Sequence, residues 1–109
     1  MAGIFEIKQA SNGDFHFHLK AANGQIILTS QMYKDKSSAE NGIESVKKHA
    51  PDDHNYERKE SHNGEPMFNL KAHNHQVIGT SQLYKSTEAR DHGIASVKQN
   101  APGAAVHIV

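Results

Sequence analysis

The chain has no cysteine. That single absence excludes disulfides, thiolate zinc sites, iron–sulfur clusters and a cysteine nucleophile together, and it fits a reducing compartment. Net charge is missing as well: twelve basic side chains cancel twelve acidic ones. No strong nonspecific pull toward nucleic acid or anionic lipid is therefore expected. There is no apolar run near the ~20 residues of a membrane span. The opening Met1-Ala2-Gly3-Ile4-Phe5-Glu6-Ile7-Lys8 carries an acid early and does not read as a signal peptide. Cytoplasm is the expected compartment. Phosphate loops, nucleophile elbows and dinucleotide fingerprints are absent too, and no serine–histidine–acid array follows from spacing. A non-enzymatic protein without cofactor is the expectation.

What the chain does have is a duplicated text. "ILTSQMYK" fills residues 27–34 and "IGTSQLYK" fills 78–85. An offset of 51 lays Phe5–Pro51 over Tyr56–Pro102 without a gap, with roughly half the positions identical. Retained pairs include Asn12/Asn63, Phe17/Phe68, Leu19/Leu70, Lys20/Lys71, Tyr33/Tyr84, Gly42/Gly93, Ile43/Ile94 and Val46/Val97. A length of 109 residues suits one domain. We read it as residues 1–109 in two repeats, 1–54 and 55–109. A solenoid needs three or more repeats, so two copies predict a closed pair with pseudo-two-fold symmetry, like a fused homodimer.

Within a unit the pattern predicts strand, strand, strand, helix, strand. Phe5 and Ile7 share one face of a strand over 4–10, and Phe15, Phe17 and Leu19 share one face over 15–21. A third strand is expected over 25–31. Cross-strand partners must share a face, which discriminates between turns. A two-residue loop at Asn12-Gly13 would pair Ile7 with His18. A three-residue loop, Ser11-Asn12-Gly13 with Gly13 left-handed, pairs Ile7 with Phe17 and Phe5 with Leu19. At Asn23-Gly24 a two-residue loop pairs Leu19 with Leu28 and Ala21 with Ile26.

Ser37-Ser38-Ala39-Glu40 has the form of a capping box, followed by the apolar stripe Ala39, Ile43, Val46, Ala50. Pro51 and Pro102, two of only three prolines, mark the helix stops. Gly42 and Gly93 sit in mid-helix, where glycine costs about 1 kcal/mol relative to alanine. Retaining both predicts a close backbone approach to sheet or helix. After each helix the chain turns strand-like again, over Tyr56–Ser61 and Ala105–Val109.

This register leaves one sheet face without helices. It places there Glu6, Lys8, His16, His18, Lys20, Ile27, Thr29 and Gln31, and in the second unit Glu57, Lys59, Met67, Asn69, Lys71, Ile78, Thr80 and Gln82. Six of the eight positions carry the same residue in both halves. The helix-facing pairs Ile7/Arg58, Phe15/Pro66 and Leu28/Gly79 are less strict. The twelve identical residues are the candidate binding face, with Ile27 and Ile78 as its apolar contacts. Lys, Thr, Glu and Gln also simply suit a wet antiparallel face. Arg58 falls on the predicted inner side, in tension with the first-strand register of the second unit.

Other residue types offer alternatives. His16 and His18 lie about 7 Å apart on one strand face, and His73 and His75 sit at a turn. A zinc or nickel site needs three or four ligands, and these histidines correspond to Met67, Asn69, Ala22 and Gly24 in the other half. They vary where the framework repeats, so no dedicated metal site is expected. With nine histidines, acidification toward about pH 5 would make the protein cationic, free imidazole titrating near ~6.5. Tyr33, Tyr84, Lys20 and Lys71 could serve a weak single-strand binder by base stacking. Two tyrosines without net positive charge argue against it, so nucleic acid is not the expected partner. An unknown protein partner is preferred, with the chain a monomer or weak homodimer.

The segments "NGDFHFHLKAANGQIILTSQMY", "GIESVK", "NGEPMFNLKAHNHQVIGTSQLY" and "GIASVK" span nearly the whole chain and resemble the YegP-like family of small bacterial proteins of unknown function. The resemblance implies an α+β fold of two tandem β3-α-β units. They would form one mainly antiparallel sheet with two helices on one face and exchanged C-terminal strands. It brings no established activity, cofactor or catalytic residue. His75 in place of the turn glycine, and Pro66 at a strand start, depart from the family pattern locally.

Overall fold

A computed structural model describes residues 3–109; Met1 and Ala2, the first residues of the opening segment read above, lie outside the described residues. The elements are β1 (Ile4–Gln9), β2 (Phe15–Lys20), β3 (Ile26–Thr29), α1 (Lys36–His49), a short 3-10 turn (Asp53–Asn55), β4 (Tyr56–Glu60), β5 (Pro66–Lys71), β6 (Val77–Thr80), α2 (Thr87–Asn100) and β7 (Ala105–Ile108). Seven strands form one sheet in the order β4-β5-β6-β3-β2-β1-β7. Neighbours run antiparallel except β7, which lies parallel to β1. The C-terminal strands are exchanged. The chain leaving α1 becomes β4 of the second repeat, and the chain leaving α2 returns to the first repeat as β7. The halves meet where Thr29 of β3 pairs with Thr80 of β6, positions related by the repeat, so the pseudo-two-fold axis passes between them.

The first hairpin has the expected bulged loop. Ile7 pairs with Phe17 and Phe5 with Leu19. Gly13 has φ +92°, a backbone that an L side chain rarely adopts. The second hairpin differs from expectation. Its loop also has three residues, Ala22-Asn23-Gly24, closed by Ala21 N–H to Gln25 carbonyl (2.8 Å) and Gly24 N–H to Ala21 carbonyl (2.9 Å). Lys20 therefore faces Ile26. A bulge then inserts Ile27 before Leu28 regains its place opposite Leu19. The second repeat copies this, with Lys71 opposite Val77, Leu70 opposite Gly79 and Ile78 as the extra residue. At the loop tip the glycine position is His75, which adopts φ +69°.

The helices begin earlier than the capping-box reading. The cap of α1 is Asp35, whose Oδ1 accepts from Ser38 N–H at 2.7 Å. The cap of α2 is Ser86, whose hydroxyl accepts from Ala89 N–H at 3.0 Å. Asp35 and Ser86 occupy equivalent positions. The repeat thus places both helix starts at the same position, where aspartate and serine serve about equally well as the accepting cap.

Under each helix lies the same stack of three rings. Phe5 meets Phe17 edge-on (5.8 Å, 74°), and Tyr56 meets Phe68 the same way (5.6 Å, 65°). Tyr33 then stacks on Phe17 (6.1 Å, 11°) and Tyr84 on Phe68 (6.4 Å, 11°). Each tyrosine ends against the mid-helix glycine. A Cβ at Gly42 would lie 2.9 Å from Tyr33 Cζ and 3.0 Å from Phe17 Cε2, and one at Gly93 would lie 2.7 Å from Tyr84 Cζ. The glycines thus admit a side chain, where a backbone approach was expected. Phe5, Ile7, Phe17, Leu19, Phe68, Leu70, Val46 and Val97 are fully buried around these stacks.

Arg58 does lie on the inner face, opposite Phe68. It belongs there because β4 is a sheet edge. Its guanidinium reaches Asp91 on α2 (3.2 Å) and Asp53 (3.3 Å), and Lys98 joins Asp53 at 2.7 Å. The equivalent Ile7 stays apolar because β7 covers it. Leu28 and Gly79 divide one space at the repeat junction, since a Cβ on Gly79 would lie 2.6 Å from the Leu28 side chain.

Two substitutions test these packing rules. Gly93→Ala lowers stability by about 1–3 kcal/mol through overpacking, and in a Tyr84→Ala background the same change raises stability by about 1 kcal/mol, as in an ordinary helix interior; paired denaturant titrations read the change of sign. His75→Gly raises stability by about 1 kcal/mol by relieving a left-handed backbone, measured by the same titration.

Candidate functional site

Both helices pack on the side of Phe5, Phe17, Phe68 and Leu70, leaving the opposite side of the sheet free of helices. Strand registers determine what stands there. Reading across the sheet from edge to edge, His107, Glu6, His18, Thr29, Thr80, Asn69 and Glu57 are successive cross-strand neighbours. Neighbours across a ladder point to the same side, so the open face carries one uninterrupted polar row over all seven strands.

Hydrogen bonds tie the row together. Glu6 Oε1 lies 2.8 Å from His18 Nε2 and 3.1 Å from Lys20 Nζ. In the second repeat Glu57 Oε1 lies 3.1 Å from Lys71 Nζ. Thr80 donates from its hydroxyl to Asn69 Oδ1 at 2.9 Å. The hydrogen bonds from His18 and then from Lys20 hold the Glu6 carboxyl below its ordinary range. Glu57 is lowered chiefly by Lys71. These pairs neutralise Lys20 and Lys71 locally. At the two-fold axis the paired residues, Thr29 and Thr80, are neutral, and Gln31 and Gln82 follow them in the chain; Thr29, Gln31 and Gln82 are exposed and Thr80 is half-buried.

Ten of the twelve sequence-selected residues fit this surface. Glu6, Lys8, Lys20, Thr29 and Gln31, with Glu57, Lys59, Lys71, Thr80 and Gln82, are all partly or well exposed. Ile27 and Ile78 are corrections. Both are 6% exposed and belong to the core. Ile27 lines a cleft of ≈ 190 Å³ beside Tyr84, His92, Gly93 and Ser96 of the second helix and its approach. The bulge turned them inward, and it leaves Ile26 and Val77 as the neighbours of Lys20 and Lys71 on the open side. The exposed apolar residues of the duplicated phrase are Met32 and Leu83, 47% and 51% accessible and at equivalent positions. No sequence pattern distinguished them. The unalternating run Ile26-Ile27-Leu28 was the available sign that a bulge would interrupt the strand.

The rest of the phrase serves the frame. Ser30 Oγ accepts from Phe17 N–H (2.9 Å) and donates to the Gln31 carbonyl (2.7 Å). Ser81 does the same with Phe68 and Gln82. Tyr33 and Tyr84 are half-buried on the helix side, and burial raises both phenols above their ordinary range. They stand across the sheet from Lys20 and Lys71, so the groups of a base-stacking platform are not brought together. His16 and His18 rings are 6.3 Å apart. Among the described residues, no three or more histidine, aspartate or glutamate side chains are grouped to hold a metal ion.

Comparison with known proteins places this architecture. The model of a family described as a domain of unknown function, DUF1508, matches residues 10–57 and again 61–107. The chain belongs to the DUF1508 family. A UPF0339 protein of Acinetobacter baylyi is 59% identical over 106 residues, covering 97% of this chain and 96% of that one. A UPF0339 protein of Stutzerimonas stutzeri, named for its place in the ptx operon 5′ region, is 61% identical over 106 residues, with the same coverage of 97% and 96%. The solution NMR structure of YegP from Escherichia coli superposes with TM-score 0.93 at 50% identity, covering 99% of this chain and 93% of that one. A UPF0339 protein of Shewanella oneidensis gives TM-score 0.92 at 50% identity, with coverage of 99% and 92%. One DUF1508 match falls in each repeat, the first running from β2 through α1 into the start of β4 and the second from β5 through α2 into β7, and the family's function is unknown. No helix among the described residues is long and apolar enough to cross a membrane.

The Glu6 cluster yields a pH-dependent prediction. A carboxyl held below its ordinary 4.5 stabilises the fold at pH above that value and loses the contribution as pH falls through the lower folded-state value. Glu6→Gln is therefore less stable than the parent at neutral pH. The gap narrows on acidification below 4.5, read by thermal melts across pH.

Proposed function

We propose that the protein is a non-enzymatic binding or accessory module that receives a protein partner on the open face of its sheet. The observation that carries this reading is the polar row crossing all seven strands with no helix above it. Thr29/Thr80 and Gln31/Gln82 repeat across the pseudo-axis. The centre is neutral and rich in hydrogen-bonding groups, and Glu–Lys pairs flank it on both sides. Protein–protein interfaces combine such polar groups with modest apolar contacts, here Ile26 and Val77 beside the lysines. Internally paired lysines favour this partner over a nucleic-acid strand, whose phosphates would have to displace Glu6 and Glu57. A cytoplasmic setting accords with the cysteine-free composition.

Thr29→Arg plus Thr80→Arg puts two unpaired cations on the axis, giving up the Thr80–Asn69 hydrogen bond and leaving the apolar core residues in place. Affinity capture from native bacterial lysate, with equal folding verified by circular dichroism, is expected to show a partner retained by the parent and lost by the variant. Identical partner sets would overturn the open face as the binding surface.

A further inference from the structure

The two edges of the sheet are built differently. β4 reads Tyr-Glu-Arg-Lys-Glu and is laced to Asp53 and Asp91 through Arg58. Charge of this kind on an edge strand discourages pairing with another chain. β7 reads Ala-Val-His-Ile and is exposed along its whole length. Val106 and Ile108 stand opposite Phe5 and Ile7, so they lie on the helix side of the sheet. Their neighbours Phe5 and Ile7 are fully buried, whereas Val106 remains 39% and Ile108 59% exposed.

The backbone is as informative as the side chains. Val109 N–H donates to the Ile7 carbonyl at 3.0 Å. Peptide groups alternate sides along a strand. Those of Ala105 and His107 therefore also turn toward β1, and those of Val106 and Ile108 turn away from the sheet. We infer that this edge pairs with β7 of a second copy of the chain, antiparallel, about a two-fold axis at His107.

That register is self-complementary. Val106 faces Ile108 of the second copy, and Ile108 faces its Val106. These are the residues whose outward N–H and C=O groups complete a hydrogen-bonded antiparallel pair. All four apolar side chains fall on one side. His107 meets its own copy as the intervening pair without backbone bonds, where side chains come closest. Pairing β7 with β4 instead would set Val106 and Ile108 against a charged strand, so assembly closes at two chains and does not grow into a filament. The two-fold axis lies perpendicular to the sheet, so both open faces end up on the same side. The inference does not depend on what those faces bind.

Four-residue edges make a weak association, with dimerisation expected at roughly 0.1–1 mM chain. Sedimentation equilibrium of the full chain across that range is expected to show a reversible monomer–dimer equilibrium. Val106→Lys plus Ile108→Lys should weaken it at least ~10-fold, as should His107→Glu, which sets two carboxylates face to face. Dilution of the unmodified protein, followed by amide NMR, is expected to shift Val106 and Ile108 and leave Glu57 and Lys59 unmoved. This second readout does not require a variant to fold. A parent that stays monomeric at about 1 mM, a folded lysine or glutamate variant that dimerises equally well, or dilution shifts mapping to β4 would each overturn the β7 pairing.

Discussion

Each helix is held on the sheet by a tyrosine seated between a phenylalanine and a helix glycine, and the rest of the molecule depends on that seat. Tyr33 lies flat on Phe17 and ends at Gly42; Tyr84 lies flat on Phe68 and ends at Gly93. The contact directs both helices to one side. It also anchors the segment that leaves the third strand, because Tyr33 exchanges backbone hydrogen bonds with Phe15, 2.7 Å each way. Tyr84 keeps one such bond, to the Pro66 carbonyl (2.8 Å), since proline has no N–H to return. With the helices confined to one face, the other face of the sheet is left for polar side chains.

Symmetry fails in the places where a two-fold arrangement could not serve both halves. Two large residues would collide near the axis, so Leu28 faces Gly79. One edge gains a seventh strand and the other does not, so Ile7 is buried while Arg58 pairs with acids. At the helix ends His49 and Asn100 hold equivalent positions and satisfy the same kind of acceptor. His49 Nδ1 donates to the Ser45 carbonyl and Asn100 Nδ2 to the Ser96 carbonyl, both at 2.8 Å. His49 Nε2 is then free to accept from His73 N–H (3.3 Å) across the repeat boundary. Linking two units in one chain lets each position specialise, which identical subunits could not do.

Much of this was legible in the residues because it rests on local rules. Alternation and loop length together predicted the β1–β2 register, since only one turn kept Ile7 beside Phe17. The second hairpin escaped for a physical reason. A three-residue loop shifts the register by one, a bulge shifts it back, and Leu19 still meets Leu28, so the error shows only at Ile26 and Ile27 and at their counterparts Val77 and Ile78. The polar residues of the open face were recoverable because they sit outside the bulge. Met32 and Leu83 were not, since exposure of an apolar side chain depends on which neighbours fail to cover it.

The duplication, the two β3-α-β units, the positions of both helices and the composition of the polar face followed from sequence alone, through periodicities and offsets that act over a few residues. Tertiary structure decided the rest. It set the pairing of Thr29 with Thr80 at the junction of the repeats, turned Ile27 and Ile78 inward, filled the space at Gly42 with a ring and gave Arg58 its acids. It also left β7 bare at one edge. Those outcomes depend on contacts between segments far apart in the chain, and no local pattern encodes how much room a distant side chain will need.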